Sequence, residues 1–381
     1  MQFLGIFAFV VALLFSVMVH EFGHYLTARH YGMRVSEFFL GFGKKIWSTQ
    51  RGETEFGLKA IPAGGYCRIE GMAPNDEMPA GEEDRAFYKA SSGRKLIVLG
   101  AGSFLHFVLG YLLLFTLFAG VGINQVLPVI GEVVENSAAQ AAGMQAGDEV
   151  TSINGVKVSQ WYQDVEVIRN SQGKELTLTL NRVGQSLTIK ATPRLTEIDG
   201  SKRYVLGIIN KVGVKRFGFV DSIKNSGTVT KSFVTQSVKS LIKLPSKIPA
   251  LWGQAVRGEV RDANGLVGVV GVARVSGQAV SSDQLTGGER LATFILIIAS
   301  LNIFVGIFNL LPILPLDGGH MAVVIADAVR ALYARLRGRP RPAGIDVTVL
   351  TPVTMVVFVI LAALTLLLLV ADVINPLILN L

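Results

Sequence analysis

Five residues near one end of the sequence could do recognisable chemistry: His20-Glu21-Phe22-Gly23-His24. On a helix, His20 and His24 stand one turn apart on nearly the same face, about 6 Å along the axis. Two imidazoles at that spacing can hold one Zn²⁺, and the adjacent Glu21 can take a proton from a metal-bound water. The stretch that must position them, Phe3 to Val19, contains no charge and reads as membrane. Ionisable side chains at bilayer depth are costly, and they mark function by default.

Composition points the same way. Half of the 381 residues are hydrophobic and 17% are charged, a balance unusual for a soluble domain. The net charge of +8 is read as marking loops on one side of a membrane, so no nucleic-acid partner is expected. Cys67 is the single cysteine, so no intrachain disulfide and no cysteine-based metal site are expected. No basic region or small-residue cleavage site precedes the first apolar run, so that run is expected to remain as a helix.

Four stretches reach the roughly twenty residues that a bilayer span requires. They fall within 1–30, 96–121, 289–320 and 351–374. Lys and Arg crowd the segment between the first two, from Arg29 to Lys95, and the loop 321–350 carries five arginines between Arg330 and Arg341. The positive-inside rule then puts both loops in the cytoplasm, with both termini and the long segment between the second and third spans outside. The cytoplasmic loop 31–95 contains Thr54-Glu55-Phe56-Gly57-Leu58-Lys59-Ala60-Ile61, which alternates polar and apolar residues. With Pro62 and the glycines after it, this predicts a bent hairpin. Residues 122–210 show short strand-like runs, turn signals and one helical stretch near Ser159 to Arg169, the pattern of a compact mixed domain. In 211–288, Phe217 to Ile248 predicts an amphipathic helix with Lys224, Lys231, Lys239, Lys243 and Lys247 on its polar face. That helix either lies on the membrane surface or connects domains through solvent.

Two histidines leave a zinc site one protein ligand short, because a catalytic site takes three and keeps a fourth position for water. The segment Asn309-Leu310-Leu311-Pro312-Ile313-Leu314-Pro315-Leu316-Asp317-Gly318-Gly319-His320 places a carboxylate at the end of an apolar run. Its two prolines and two glycines predict a broken helix, and non-helical backbone at membrane depth is tolerated only where it lines protein or water. Asp317 is the stronger candidate for the third ligand; His320 is its rival.

Together these residues resemble the site-2 proteases, intramembrane zinc metalloproteases of peptidase family M50B. The pairing of His20-Glu21-Phe22-Gly23-His24 in the first span with Leu316-Asp317-Gly318 after the third carries the likeness. Gly41-Phe42-Gly43, the Glu55-to-Met72 stretch with Pro62, Gly64 and Gly65, and Ala101-Gly102 extend it toward the regulator-of-sigma-E protease branch. Glu132-Val133 through Ser137-Ala138-Ala139 to Gly147-Asp148, closed by Ile153-Asn154-Gly155, is similar to a bacterial PDZ domain. One such pattern is more like the actinobacterial members. The implied fold is an α-helical polytopic membrane protein with four transmembrane helices, a membrane-associated β-hairpin or sheet, and one extracytoplasmic PDZ-like α/β domain.

The resemblance implies that His20, His24 and Asp317 bind Zn²⁺ and that Glu21 activates the water. It implies that the strand from Thr54 through Glu55, Phe56, Gly57 and Leu58, with Pro62, Gly64 and Gly65, pairs with substrate by strand addition. Asn309 would help hold substrate near the site. Implied partners are single-span membrane proteins, such as anti-sigma factors already shortened by a site-1 type protease, or remnant signal peptides. The implied location is a bacterial inner membrane, with the zinc site toward the cytoplasm. One departure stands out: the family usually has Ala-Gly-Pro and then Asn in the second span, where this chain has Ala101-Gly102-Ser103 and then His106. His106 is either an extra polar group facing the site or a hydrogen-bonded helix-packing residue.

Other classes fit parts of the pattern. An ion-coupled transporter could use His and Asp along its path, but it predicts paired repeats, and none is evident. A catalytically silent PDZ-bearing scaffold would have no use for Glu21. A membrane-anchored protease with a soluble catalytic domain would place His20 to His24 outside the bilayer, against the uncharged run before them.

Overall fold

The computed structural model describes residues 1–73, 76–158, 161–198, 200–262, 265–340, 342–345 and 347–376. Ser159, where a helical stretch is expected to begin, and Arg341 of the basic loop lie outside those residues. The chain divides into two compact units, one of residues 1–121 with 218–381, the other of residues 122–217.

In chain order, the first unit begins with α1 (Gln2–His30), β1 (Val35–Arg51), β2 (Thr54–Ile69) and α2 (Ser92–Thr116). Then α2 runs on through a π-helical turn, Leu117–Val121. The second unit contains β3 (Ile123–Val133), α3 (Ala138–Ala141), β4 (Glu149–Ile153), β5 (Val156–Lys157), α4 (Trp161–Asp164) and α5 (Glu166–Arg169). It continues with β6 (Leu176–Arg182), β7 (Gln185–Ala191), β8 (Arg194–Ile198), β9 (Ser201–Val205) and β10 (Ile208–Lys215). The first unit resumes with α6 (Phe219–Val256), α7 (Val269–Ser281), α8 (Gly287–Asn309), α9 (Asp317–Leu336) and α10 (Thr351–Ile374).

Four helical segments are long and apolar enough to cross a membrane: Gln2–His30, Ser92–Val121, Gly287–Asn309 and Thr348–Ile374. Even the shortest, at 23 residues, spans about 34 Å at 1.5 Å per residue, more than the roughly 30 Å of a hydrocarbon core. The second begins at Ser92 rather than 96. The third ends at Asn309 rather than running on to 320, because Pro312 and Pro315 lack the N–H a helix needs and disfavour helical backbone before them. The chain turns through 310–316 and α9 starts afresh at Asp317. α2 packs against α1, α8 and α9, so one helix touches every element that carries a candidate ligand.

β1 and β2 pair antiparallel along most of their length, but the ladder folds back on itself. Glu37, Phe38, Phe39 and Leu40 face Arg68, Cys67, Tyr66 and Gly65 on one side and Glu55, Phe56, Gly57 and Leu58 on the other. The far end of β1, Trp47 to Arg51, pairs with the outer side of Thr54 to Leu58. Gly41 makes the reversal possible. Its φ is +90°, and a Cβ there would sit 2.8 Å from the Ile61 carbonyl oxygen.

In the second unit the strand order is β10-β3-β4-β6-β7, with β5 paired to β4, and β8 and β9 form a separate hairpin. Ile130, Val150, Ile153, Leu178 and Leu180 are buried at its core, contributed by three neighbouring strands. β10 pairs with β3 as far as Lys215 opposite Ile123. The unit therefore ends past the expected boundary at 210, since cutting there would split β10 after its third residue. α6 is also longer than expected and continues through Pro245 and Pro249. Ser222, Ser226, Ser237, Leu251 and Ala255 make its buried face, while Lys224, Lys231, Lys239 and Lys243 are exposed.

Candidate active site

α1 brings His20 and His24 onto one face, and the fresh start of α9 brings Asp317 to meet them. The two Nε2 atoms are 3.1 Å apart, and Asp317 Oδ2 lies 3.2 Å from His20 Nε2 and 3.3 Å from His24 Nε2. Ligands 2.0–2.1 Å from a tetrahedral zinc would be about 3.3–3.4 Å from one another. The triangle has nearly that size before any ion is considered. Asp317 Oδ2 is buried and meets no hydrogen-bond donor in good geometry among the described residues. Two imidazole nitrogens and a carboxylate oxygen are a zinc donor set with a fourth position to spare. His320 lies outside the triangle, so of the two rivals the structure brings only Asp317 to the histidines.

The surroundings prepare these atoms. His24 Nδ1 lies 2.8 Å from the Val98 carbonyl oxygen. A carbonyl only accepts, so the proton is assigned to Nδ1 and the Nε2 lone pair faces the triangle. α2 approaches this closely because position 102 is glycine. A Cβ there would stand 2.6 Å from both His20 Nδ1 and His24 Nε2. Glu21 is half-buried beside the triangle.

A cavity of about 380 Å³ opens over the site, lined by His20, Glu21, His24 and Asp317 and by Tyr66, Cys67, Arg68 and Ile69 of β2. The Glu21 carboxylate is within hydrogen-bonding reach of the Cys67 backbone. Tyr66 to Ile69 have β1 as their one ladder partner among the described residues. Thr54 to Leu58, the strand expected to receive substrate, stand elsewhere: the register flanks Glu55 to Leu58 on both sides, so neither edge is free. Thr54 is buried and donates its hydroxyl to the Val35 carbonyl at 2.7 Å. Pro62 is exposed at the bend. Gly65 packs on α1, where a Cβ would lie 3.5 Å from Glu21 Cγ, and Gly64 precedes it at φ +147°. Asn309 ends α8, half-buried, and does not line the cavity.

The cavity wall is braced. The Tyr66 hydroxyl donates to the Glu37 carboxylate and accepts from Lys59 Nζ, which also lies 4.7 Å from the Phe39 ring centre. Burial, and then the hydrogen bond to Glu37, push the Tyr66 phenol above its ordinary value. Burial does the same to the Cys67 thiol.

His106 combines both readings open to it. It is buried on α2, its Nδ1 meets Asn302 Oδ1 of α8 at 2.9 Å, and its ring lies 4.9 Å from that of His20. Asn302 and Ser16, which continue this polar chain, are not singled out by the sequence. One amide and one hydroxyl in apolar helices look like ordinary packing.

Comparison with known proteins agrees with this geometry. The chain matches the family model described as peptidase family M50 over residues 8–361. It is 33% identical to the zinc metalloprotease Rip1 of Mycobacterium tuberculosis (strain H37Rv) across 98% of both chains. It is 32% identical to the protein of the same name in Mycolicibacterium smegmatis, also across 98% of each. A putative zinc metalloprotease of Helicobacter pylori (strain J99) is 32% identical over 83% of this chain and 88% of its own length. A multi-pass membrane architecture, the zinc-type donor set and a match along nearly the whole chain lead to one assignment: this protein is a zinc metalloendopeptidase of peptidase family M50, the site-2 protease family.

Proposed function

We propose that the protein cuts single-span membrane proteins within or near the bilayer, with His20, His24 and Asp317 holding the zinc and Glu21 serving as general base. The observation that carries this is the 3.1–3.3 Å triangle of ligand atoms between the apolar α1 and the start of α9, with Glu21 at its side. Zinc bound there supplies Lewis acidity toward a carbonyl and toward water. Glu21 takes the proton of the attacking water and later delivers it to the leaving amine. His24 is fixed for its task by the Val98 carbonyl.

A peptide bond in a substrate helix is protected because its carbonyl is already bonded within the helix. Unwinding needs replacement partners, and the edge of β2 at Tyr66 to Ile69 supplies them beside Glu21. This moves strand addition from Thr54–Leu58 to the other end of the same strand. The basic loops favour a cytoplasmic β1–β2 hairpin and a zinc site near that face of a bacterial inner membrane, with both termini outside. The unit of residues 122–217 then lies outside as a PDZ-like domain that admits substrates by size or by a new C-terminus. Anti-sigma factors first cut by a site-1 type protease, and remnant signal peptides, are the substrate classes this reading favours.

The test is Glu21→Gln, purified and reconstituted with a single-span substrate. Cleavage is expected to fall by roughly 10²–10⁴ while zinc content stays at the wild-type level. Cleavage at the wild-type rate would remove Glu21 from the mechanism.

A further inference from the structure

The two histidines of the triangle differ at the nitrogen that faces away from it. His24 Nδ1 has the Val98 carbonyl; His20 Nδ1 is buried and meets no hydrogen-bond partner among the described residues. A neutral histidine that ligates through Nε2 carries its proton on Nδ1, and in metal sites that N–H almost always finds an acceptor. His20 is thus half prepared.

The ring packed against His20 is His106, with centroids 4.9 Å apart and planes inclined by 37°. Its tautomer can be assigned from the bonds beyond it. Asn302 Nδ2 lies 2.8 Å from the Ile298 carbonyl oxygen and 3.0 Å from Ser16 Oγ. The carbonyl only accepts, so the amide nitrogen belongs on that side and Oδ1 faces His106. His106 Nδ1, 2.9 Å from Oδ1, therefore holds the proton, and Nε2 of the neutral ring is an acceptor. No donor meets that nitrogen among the described residues. A buried donor without a partner among the described residues lies on one ring, and an acceptor nitrogen on the ring packed against it.

We propose that His106 is the positioning residue for His20: its Nε2 accepts the Nδ1 proton of His20, directly or through one bridging water, in a tautomer set by Asn302 and Ser16. The proposal rests on the reading that His20, His24 and Asp317 hold zinc. It gives the helix-packing bond between α2 and α8 a second purpose. The chain Ser16–Asn302–His106 sets the orientation of a metal ligand by fixing which nitrogen of its neighbour is bare. Asn302 is buried in this role, so its amide cannot turn to water to satisfy itself otherwise.

The experiment compares zinc retention against a chelator, and the visible spectrum after Co²⁺ substitution, in full-length protein. His106→Leu is expected to lose zinc about 10–100-fold more readily and to shift the Co²⁺ bands. His106→Gln, which keeps an acceptor at similar reach, should recover most of the difference. Asn302→Leu should fall between, because it frees the tautomer without removing the ring. A merely structural role would lower the melting temperature of these variants and leave the Co²⁺ bands in place. If His106→Leu matches wild type on both readouts, the proposal is overturned. Should that variant fail to fold, Asn302→Leu decides: wild-type zinc retention with an unmoved spectrum overturns it equally. Zinc held at the wild-type level by His20→Ala would overturn the triad reading itself, a result distinct from either.

Discussion

Asp317 and Asp372 are carboxylates on helices of the same unit, and their partners differ in kind. Asp372, in the last turns of α10, is 1% exposed. It is bonded to Arg261 at 2.7 Å and accepts the Gly271 N–H at 2.8 Å. The chain supplies its counter-charge. Asp317 faces the Nε2 atoms of two histidines, one of them assigned as a lone pair by the Val98 carbonyl. Neutral imidazoles give this carboxylate, half-buried at the cavity, no counter-charge. A divalent cation removes the deficit. A carboxylate buried opposite arginine braces a structure, whereas a half-buried one turned to imidazole lone pairs is placed to share a metal.

The largest effects should separate these two. Asp317→Ala is expected to abolish both zinc binding and cleavage while the protein stays folded, as read by metal analysis and a melting curve. Asp372→Ala should do the reverse. It leaves Arg261 buried without its partner, a loss of about 3–5 kcal/mol, so the melting temperature drops while each folded molecule keeps its zinc. Loss of zinc from Asp372→Ala, at a temperature where it remains folded, would erase the distinction.

A smaller effect sharpens the contrast between metal and substrate sites. Gly41→Ala forces a side chain into φ +90° against the Ile61 carbonyl, a strain of about 1–3 kcal/mol. The expected result is a raised KM with zinc content unchanged, because the fold-back that frees Tyr66 to Ile69 is disturbed and the triangle is not. The smallest effect lies in the second unit. Arg182 contacts both oxygens of Asp148 at 2.7 Å and holds that carboxyl below its ordinary value. A depressed folded value means the stabilisation is complete above about pH 4 and is lost as pH falls through the folded value. Arg182→Gln should therefore move acid unfolding of this unit to higher pH, measured by amide exchange, without touching zinc.

Legibility followed the physics of each part. His20, Glu21 and His24 declare themselves through helical spacing in an uncharged run. Asp317 does so because a carboxylate between prolines and glycines is out of place in a span. Val98 contributes a backbone carbonyl, which no residue type announces. Asn302 is one amide in an apolar helix, and its meaning depends on a histidine 196 positions away in sequence. The receiving edge at Thr54 to Leu58 is implied by the resemblance, not by alternation. Alternation identifies a strand but not which of its sides is already paired, and here the pairing is set by the reversal at Gly41.

The most direct test of the central claim is X-ray absorption at the zinc edge on the purified wild-type protein. The account predicts a nitrogen and oxygen shell at about 2.0–2.2 Å, with the scattering pattern of two imidazoles. A zinc–sulfur distance near 2.3 Å would instead assign Cys67, which lines the same cavity, and would contradict the His20–His24–Asp317 site.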